Sequence, residues 1–354
     1  MQDIKPRSGA GALLRALVLL VAAALLALTL VPAAQAAEEP ETTTVIPLGR
    51  AVGIKLFAQG VLVVGLSDIT TDQGVTSPAR ACGLQKGDVI THINQTKVND
   101  IETVQALLQE LDGQPMELTV LRDEQTQTMT TRAARCSADG SYKLGAWIRD
   151  SMAGIGTLTF VEPKTGLFGT LGHGINDVDT AVLMKLQSGA ITPASVASVV
   201  KGADGRPGEL RGAFSSSKDL GTLFANTRQG VFGRLKDPAA CSGTPVPVAR
   251  PEEVHPGQAT ILSNVSGTTV EEYTVEILKV YDNTTDTRDL MLRVTDPRLL
   301  DRTGGIVQGM SGSPILQDGK LVGAVTHVLV DHADRGYGIL AQNMLAQARQ
   351  AQRG

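Results

Sequence analysis

Two glycine-flanked side chains in this sequence could act on one another. Ser311 lies in Gly304-Gly305-Ile306-Val307-Gln308-Gly309-Met310-Ser311-Gly312-Ser313-Pro314, and His173 lies in Gly172-His173-Gly174-Ile175-Asn176-Asp177. A serine hydroxyl is a weak nucleophile until a neighbouring base takes its proton. Histidine is the side chain suited to that near neutral pH. Glycines around the serine permit a sharp turn with positive φ and close approach of a carbonyl to the main chain. The N–H groups of Gly309 and Ser311 could then face a developing oxyanion. The implied chemistry is attack on a carbonyl assisted by a base. A carboxylate would complete it by holding the imidazole tautomer. Asp177, Asp282, Asp286, Asp289, Asp296 and Asp301 all fall between the two, and spacing does not choose among them. Asp296-Pro297 before Arg298-Leu299-Leu300 also reads as a helix N-cap.

Strands are expected to carry both groups. Leu167–Leu171 is apolar and delivers His173 at its end. After the serine, Ile315-Leu316-Gln317, Asp318-Gly319 and Lys320-Leu321-Val322-Gly323-Ala324-Val325 read as strand, two-residue turn and strand. Between them, Ala153–Val161, Ala194–Gly202, Gly221–Thr227 and Gly230–Gly233 are β segments with Gly and Pro corners. Val270–Tyr281 and Asp289–Thr295 form a hairpin, and the proline-rich Ala239–Pro256 an extended crossing with His255 exposed. Ser215-Ser216-Ser217 reads as loop.

Composition narrows the function. The 354 residues suffice for two domains, and 42% hydrophobic with 19% charged residues indicates a globular chain. A net charge of −4 argues against nucleic acid as the main partner. Cys82, Cys136 and Cys241 make no CxxC pair and allow at most one disulfide, a buried free thiol being the simpler expectation. His327 and His332 lack the His-Glu-x-x-His arrangement of zinc proteases, so no metal or other cofactor is expected. Residues 1–37 have basic Lys5, Arg7 and Arg15, an apolar run from Ala16 to Val31 and Ala34-Gln35-Ala36. That is the pattern of a signal peptide or, uncleaved, a membrane anchor, which places the rest outside the cytoplasm. Residues 38–44 form a polar tether.

A smaller α+β unit is expected over 45–131. Ser77-Pro78 opens a short helix stopped by Gly83, Val89–Asn94 is a strand with His92 as a packing or surface residue, and Asn99-Asp100 opens a second helix ended by Asp112-Gly113. Met116, Leu118 and Val120 alternate as a final strand. This order, with Ser77-Pro78-Ala79 and Gly83-Leu84-Gln85-Lys86-Gly87-Asp88-Val89-Ile90, resembles a bacterial protease-associated PDZ domain. The resemblance implies a carboxylate-binding loop over Leu48-Gly49-Arg50-Ala51-Val52-Gly53-Ile54, with Leu48, Gly49, Gly53 and Ile54 holding a peptide ligand that adds a strand.

The serine loop feeding a hairpin resembles the nucleophile region of chymotrypsin-like proteases, with Met310 where those have an acidic residue. Four strings together resemble the SpoIVB peptidase family of endospore-forming bacteria: Gly169–Ile175, Lys201-Gly202 with Gly208-Glu209-Leu210, Thr295-Asp296 with Leu299-Leu300, and Thr303–Ile315. Met310 agrees with that family. The resemblance implies a mostly β, chymotrypsin-like double β-barrel peptidase domain over 141–340, with a helical tail over 341–354. It places the base at His173, the acid at Asp296 and the nucleophile at Ser311. It also implies a sporulation signalling endopeptidase of the space between the forespore membranes, which cleaves itself near its N-terminus. Such a protease then cuts the regulator of an intramembrane protease complex, triggering pro-sigma-K processing. Its partners would be protein substrates including itself, a PDZ peptide ligand and the membrane. Two alternatives stand beside this reading: a non-catalytic extracytoplasmic PDZ scaffold, and a quality-control protease, whose PDZ usually follows the protease domain.

Overall fold

Residues 43–214, 218–281 and 287–353 are described by a computed structural model. The signal or anchor segment, most of the tether, Ser215–Ser217, Asp282 and Asp286 lie outside them. Strand β1 (Thr44–Leu66) is the longest element and joins two units within one continuous sheet. Its far end belongs to the PDZ-like unit, where Val61 and Leu62 pair with β2 (Val89–Ile93). Beyond β2 come β3 (Pro115–Arg122) and β4 (Gln125–Arg132). Helix α1 (Pro78–Ala81) follows Ser77, whose hydroxyl donates to the Ser67 carbonyl and not to the helix. Helix α2 (Ile101–Leu111) begins where the Asp100 carboxylate accepts from the Thr103 N–H, and ends at Asp112 in the left-handed region. Its apolar face meets Val61, Val63, Ile90, Leu118 and Val120 in one core.

The near end of β1 belongs to a barrel. It pairs with β5 (Ala146–Val161), which pairs with β6 (Leu167–Thr170). The ring continues through β10 (Gly230–Leu235) and β9 (Gly221–Thr227) to β7 (Leu186–Val200), with β8 (Glu209–Phe214) added to β7. It closes where β7 pairs with β1, at Ile54↔Ile191. A second barrel runs β11 (Gly257–Ser266), β12 (Thr269–Val280), β13 (Leu290–Val294), β16 (His332–Leu340), β15 (Lys320–Leu329) and β14 (Pro314–Gln317), and closes on itself. Helix α3 (Pro297–Thr303) follows β13. Helix α4 (Ala341–Arg353) buries Met344, Leu345 and Ala348 against Phe160, Phe232 and Ile339. Two six-membered rings of short strands are how alternating sequence disposes of its sheet edges.

The expected carboxylate loop is corrected. Leu48, Gly49, Gly53 and Ile54 lie within β1, where residues 52–57 are paired on both edges, to β5 and to β7. A Cβ on Gly53 would stand 2.4 Å from Cβ of Phe214 and 2.6 Å from Oγ1 of Thr192. That glycine serves close strand packing, and its amide has no open edge to offer a peptide. The small residues read as a loop are a barrel strand. The three cysteines are all free, and Cys136 is buried. Among the described residues no helix is long and apolar enough to cross a membrane.

Candidate active site

His173 follows β6 by a turn that costs backbone strain. Leu171 has φ 69° and Gly172 φ 70°, and positive φ is unfavourable for a leucine. A Cβ on Gly172 would approach Thr326 Cγ2 and Ile339 Cγ2 to 2.9 Å. The Gly172 backbone therefore lies against β15 and β16 of the second barrel. The His173 Nδ1 lies 2.9 Å from the Gly174 carbonyl. If Nδ1–H is the donor, Nε2 is the nitrogen left with a lone pair. Burial pulls the His173 pKa below the ordinary 6.5, and the Gly174 bond only partly offsets it. The lowered pKa favours the neutral ring, the form able to accept a proton.

Ser311 lies in the turn between α3 and β14. Gly309 (φ 97°) and Gly312 (φ 95°) bend that turn. A Cβ on Gly312 would sit 2.3 Å from the Thr157 carbonyl oxygen, so only glycine fits. The Ser311 hydroxyl donates to the Thr326 carbonyl at 2.7 Å. The N–H groups of Gln308, Met310, Gly312 and Ser313 each donate to a backbone carbonyl. Those of Gly309 and Ser311 donate to no backbone carbonyl among the described residues. Two spared donors flanking a serine are what an oxyanion hole requires.

His173 and Ser311 line one cleft of about 280 Å³, with Ile54, Met152, Gly154, Ile155 and Gln308 around them. A shallower groove next to it shares Gly154, Ile155, Gln308 and Gly309 and extends past Leu210 and Arg211. An extended peptide could occupy both. A cavity of about 510 Å³ between Arg50, Lys236 and Cys241 touches neither residue.

Thr157 on β5 escaped the sequence reading. Its Oγ1 donates to the Gly309 carbonyl at 2.8 Å and its N–H to the Ser311 carbonyl at 3.2 Å. Its own carbonyl accepts from Thr170 Oγ1 at 2.6 Å and from the Leu171 N–H. One buried threonine thus ties the serine turn to the strand that delivers the histidine. Only tertiary convergence reveals it. Asn226 was also missed; it accepts from the Ile175 N–H and donates to the carbonyls of Ile175 and Met184, holding the segment after His173.

Asp296 is not brought to this pair. It is the N-cap of α3, as its Asp-Pro setting allowed. Its oxygens accept from the Arg298 N–H at 2.9 Å, the Thr274 N–H at 3.3 Å and the Arg298 guanidinium at 2.9 Å. Arg298 is the chief cause holding its pKa below the usual carboxylate value. His327 pairs with Tyr337, and Tyr337 with Met291. The strand that carries Met291 ends at Val294, and the Thr295 and Asp296 N–H groups both turn to the Thr274 carbonyl. No described carboxylate is hydrogen-bonded to His173. The ring that does lie beside it is His327, with centroids 5.2 Å apart and planes tilted by 36°.

Several comparisons bear on identity. A family model of the PDZ domain matches residues 71–122. No curated protein matches the chain. Among solved structures, the active form of the Rv3671c protease of M. tuberculosis aligns at 15% identity and TM-score 0.31, over 57% of this chain and 74% of that one. The HtrA-type protease AlgW with a decapeptide aligns at 12% identity and TM-score 0.34, over 66% and 55%. The thermostable serine protease AL20 from an extremophilic microorganism aligns at 11% identity and TM-score 0.31, over 56% and 92%. Scores this low carry no argument about this site. The decisive match is the family model of the SpoIVB peptidase S55, over residues 140–345. It includes both His173 and Ser311 and spans more than half of the sequence, and the chain accordingly belongs to the SpoIVB peptidase family of serine peptidases.

Proposed function

We propose that the protein is a signalling serine endopeptidase in which Ser311 is the nucleophile and His173 the base. The observation that carries this reading is the single cleft into which both open beside the spared N–H groups of Gly309 and Ser311. Rotation about the Ser311 Cα–Cβ bond would exchange the Thr326 carbonyl for the imidazole as hydrogen-bond acceptor. Oγ then attacks a peptide carbonyl, and His173 accepts the proton and returns it to the leaving amine. The Gly309 and Ser311 amides receive the oxyanion. Family membership supports a sporulation role: release by self-cleavage next to the N-terminal segment, then cleavage of the extracytoplasmic part of a membrane-bound regulator. The assignment of the acid to Asp296 rests on the family resemblance alone, because its carboxylate is engaged as a cap.

A PDZ module preceding the peptidase suits a protease that reads a protein partner before cutting. With β1 paired on both edges, the place for an added strand is β5 over Ala146–Asp150. There one edge pairs with β1 and the other has no partner strand among the described residues. That edge runs beside α2, whose Ile101 N–H donates to Asp150 at 3.0 Å. An extended peptide laid between them would gain main-chain hydrogen bonds from β5 and apolar contact from α2.

The test compares residues 38–354 as wild type and Ser311→Ala. Truncation of the wild type alone, with the new N-terminus mapped by mass spectrometry, supports self-cleavage. Failure of the folded wild type to label with a fluorophosphonate probe would favour the non-catalytic scaffold.

A further inference from the structure

Strand β5 does three things along its length. Ala146 to Arg149 pair with Leu66 to Leu62 of β1 on the PDZ side, Met152 to Ile155 wall the cleft, and Thr157 holds the serine turn. At the boundary between the first two, Arg149 reaches across to the segment that follows His173. Its Nη1 donates to the Asp177 carboxylate and its Nη2 to Asp179 at 2.8 Å. Asp177 is buried, while Arg149 is partly exposed. The other Asp177 oxygen accepts from the N–H of Asp179 at 3.0 Å, and from the N–H and hydroxyl of Thr180 at 2.9 Å each. Burial raises the pKa of this carboxyl, and the Thr180 bonds together with Arg149 outweigh it and hold the group below its ordinary value. It is an ionised side chain inside the protein, four residues from the base.

The same segment leans on the PDZ unit. Ile175, Val182 and Met184 pack with Leu56, Leu62 and Val89. The Gln59 N–H donates to the Lys185 carbonyl at 2.7 Å, and Lys185 pairs with Glu124 in the turn between β3 and β4. Asn226 grips it from the barrel side. Beyond its internal turn bonds, such as the Asp177 N–H on the Val182 carbonyl and the Met184 N–H on the Ile175 carbonyl, the segment after His173 is fixed by its neighbours. Among these, the one placed in β5 and directed at a buried charge is Arg149.

We infer that Arg149 is a positioning residue for the reaction, fixing the segment behind His173 through Asp177 and Asp179 and so making the base's placement depend on the PDZ-side half of β5. The inference rests on the proposed roles of His173 and Ser311. A peptide that added to the open β5 edge would act on the strand that carries this arginine, which gives occupancy of the PDZ unit a physical route to the catalytic pair. Lysine cannot replace it fully, since a single ammonium does not fork between two carboxylates as a guanidinium does.

The test is the rate of fluorophosphonate labelling of Ser311, with kcat and KM on fluorescent casein, in the full-length chain. Labelling of wild type comes first, because its absence would refute the proposed roles and leave Arg149 aside. Arg149→Ala is expected to lower labelling and kcat by roughly 10- to 100-fold with KM little changed, as a displaced base does. Arg149→Lys should recover part of that loss. In Arg149→Ala/Asp177→Asn the two losses should be far from additive, because the second change removes the charge that the first leaves unpaired. Arg80→Ala, which breaks an exposed ion pair on the PDZ surface, is the control and should stay within twofold of wild type. Circular dichroism melting identifies any variant that fails to fold, in which case the lysine variant decides. Wild-type labelling rates in folded Arg149→Ala, or strictly additive losses in the double variant, would overturn the inference.

Discussion

The Ser311 hydroxyl donates its hydrogen to the Thr326 carbonyl at 2.7 Å, while the His173 Nδ1 sits 2.9 Å from the Gly174 carbonyl. The proposed nucleophile and base line one cleft, and each bonds to a main-chain oxygen and not to the other. The segments that carry them are tied down by Thr157, Asn226 and Arg149. The Gly309–Gly312 turn is locked by Thr157 and by the Gly312 N–H on the Val325 carbonyl, so the proposed route to a reactive arrangement is a side-chain rotation of Ser311.

With His173 as the proposed base, its lowered pKa predicts where the acid limb of activity falls. The base form is the neutral ring, and burial lowers its pKa from 6.5. The labelling rate and kcat/KM should therefore hold as pH falls through 6.5 and decline only below it, since kcat/KM reports the free enzyme. Stability takes the matching sign. The unfolded chain binds a proton at His173 near pH 6.5 and the folded one does so only at lower pH, so this group destabilises the fold as pH drops below 6.5. Exposed His255 has the opposite shift, raised by the Pro256 carbonyl and by Asp318. Its small stabilisation is present below pH 6.5 and lost as pH rises, so the profile is best taken in a His255→Gln background. An acid limb centred at or above 6.5 would contradict the buried, neutral base.

Thr157 provides a test of the clamp between the barrels. Thr157→Val keeps the volume and the backbone bond to Ser311 but removes the Oγ1 donor to Gly309. The lost hydrogen bond should cost about 1 kcal/mol in stability, and kcat should fall as well, because Gly309 carries one of the two proposed oxyanion donors. Gly312→Ala is expected to be more severe. Its Cβ would fall 2.3 Å from the Thr157 carbonyl at a φ of 95°, which forces the serine turn to open. Melting temperature and labelling rate, measured on both variants, separate these effects. A Gly312→Ala protein with wild-type labelling would show that the turn is not held as described.

The family and the local turns were more legible in the sequence than the layout. The glycine-flanked settings of His173 and Ser311 are local patterns, and so is the Asp318-Gly319 hairpin, whose two residues take φ 50° and 74°. Helix α2 was legible from its apolar spacing and its Asp100 cap. What failed did so for tertiary reasons. The Leu48–Ile54 segment has the small residues of a binding loop, yet its Gly53 is small because Phe214 presses on it. Arg149 stands in no motif, and Asp177, though it ends the His173 string, carries no sign of its partner. Their relation exists only where β5 passes the segment behind His173. Thr157 looks like any strand threonine until two loops converge on it.

Asp296 admits a clean separation of two roles. As N-cap of α3 it receives the Arg298 N–H, and it also pairs with the Arg298 guanidinium and takes the Thr274 N–H. Asp296→Ala removes the cap and should cost about 1–2 kcal/mol. Asparagine caps nearly as well, so Asp296→Asn should melt closer to wild type, giving up chiefly the ion pair with the exposed Arg298 side chain. Acidification tests the same point from the other side. The Asp296 pKa is lowered, so its stabilising contribution is present above the unfolded value of 3.8 and is lost as pH falls through the folded one; in Asp296→Ala that part of the acid transition should disappear. Activity of Asp296→Asn then decides the assignment that family resemblance makes. An acid that held the His173 tautomer would lower kcat about 10⁴-fold when replaced by its amide, without a matching loss of melting temperature. A loss under tenfold at preserved stability would leave Asp296 as the start of a helix, and the base as a histidine held by the Gly174 carbonyl.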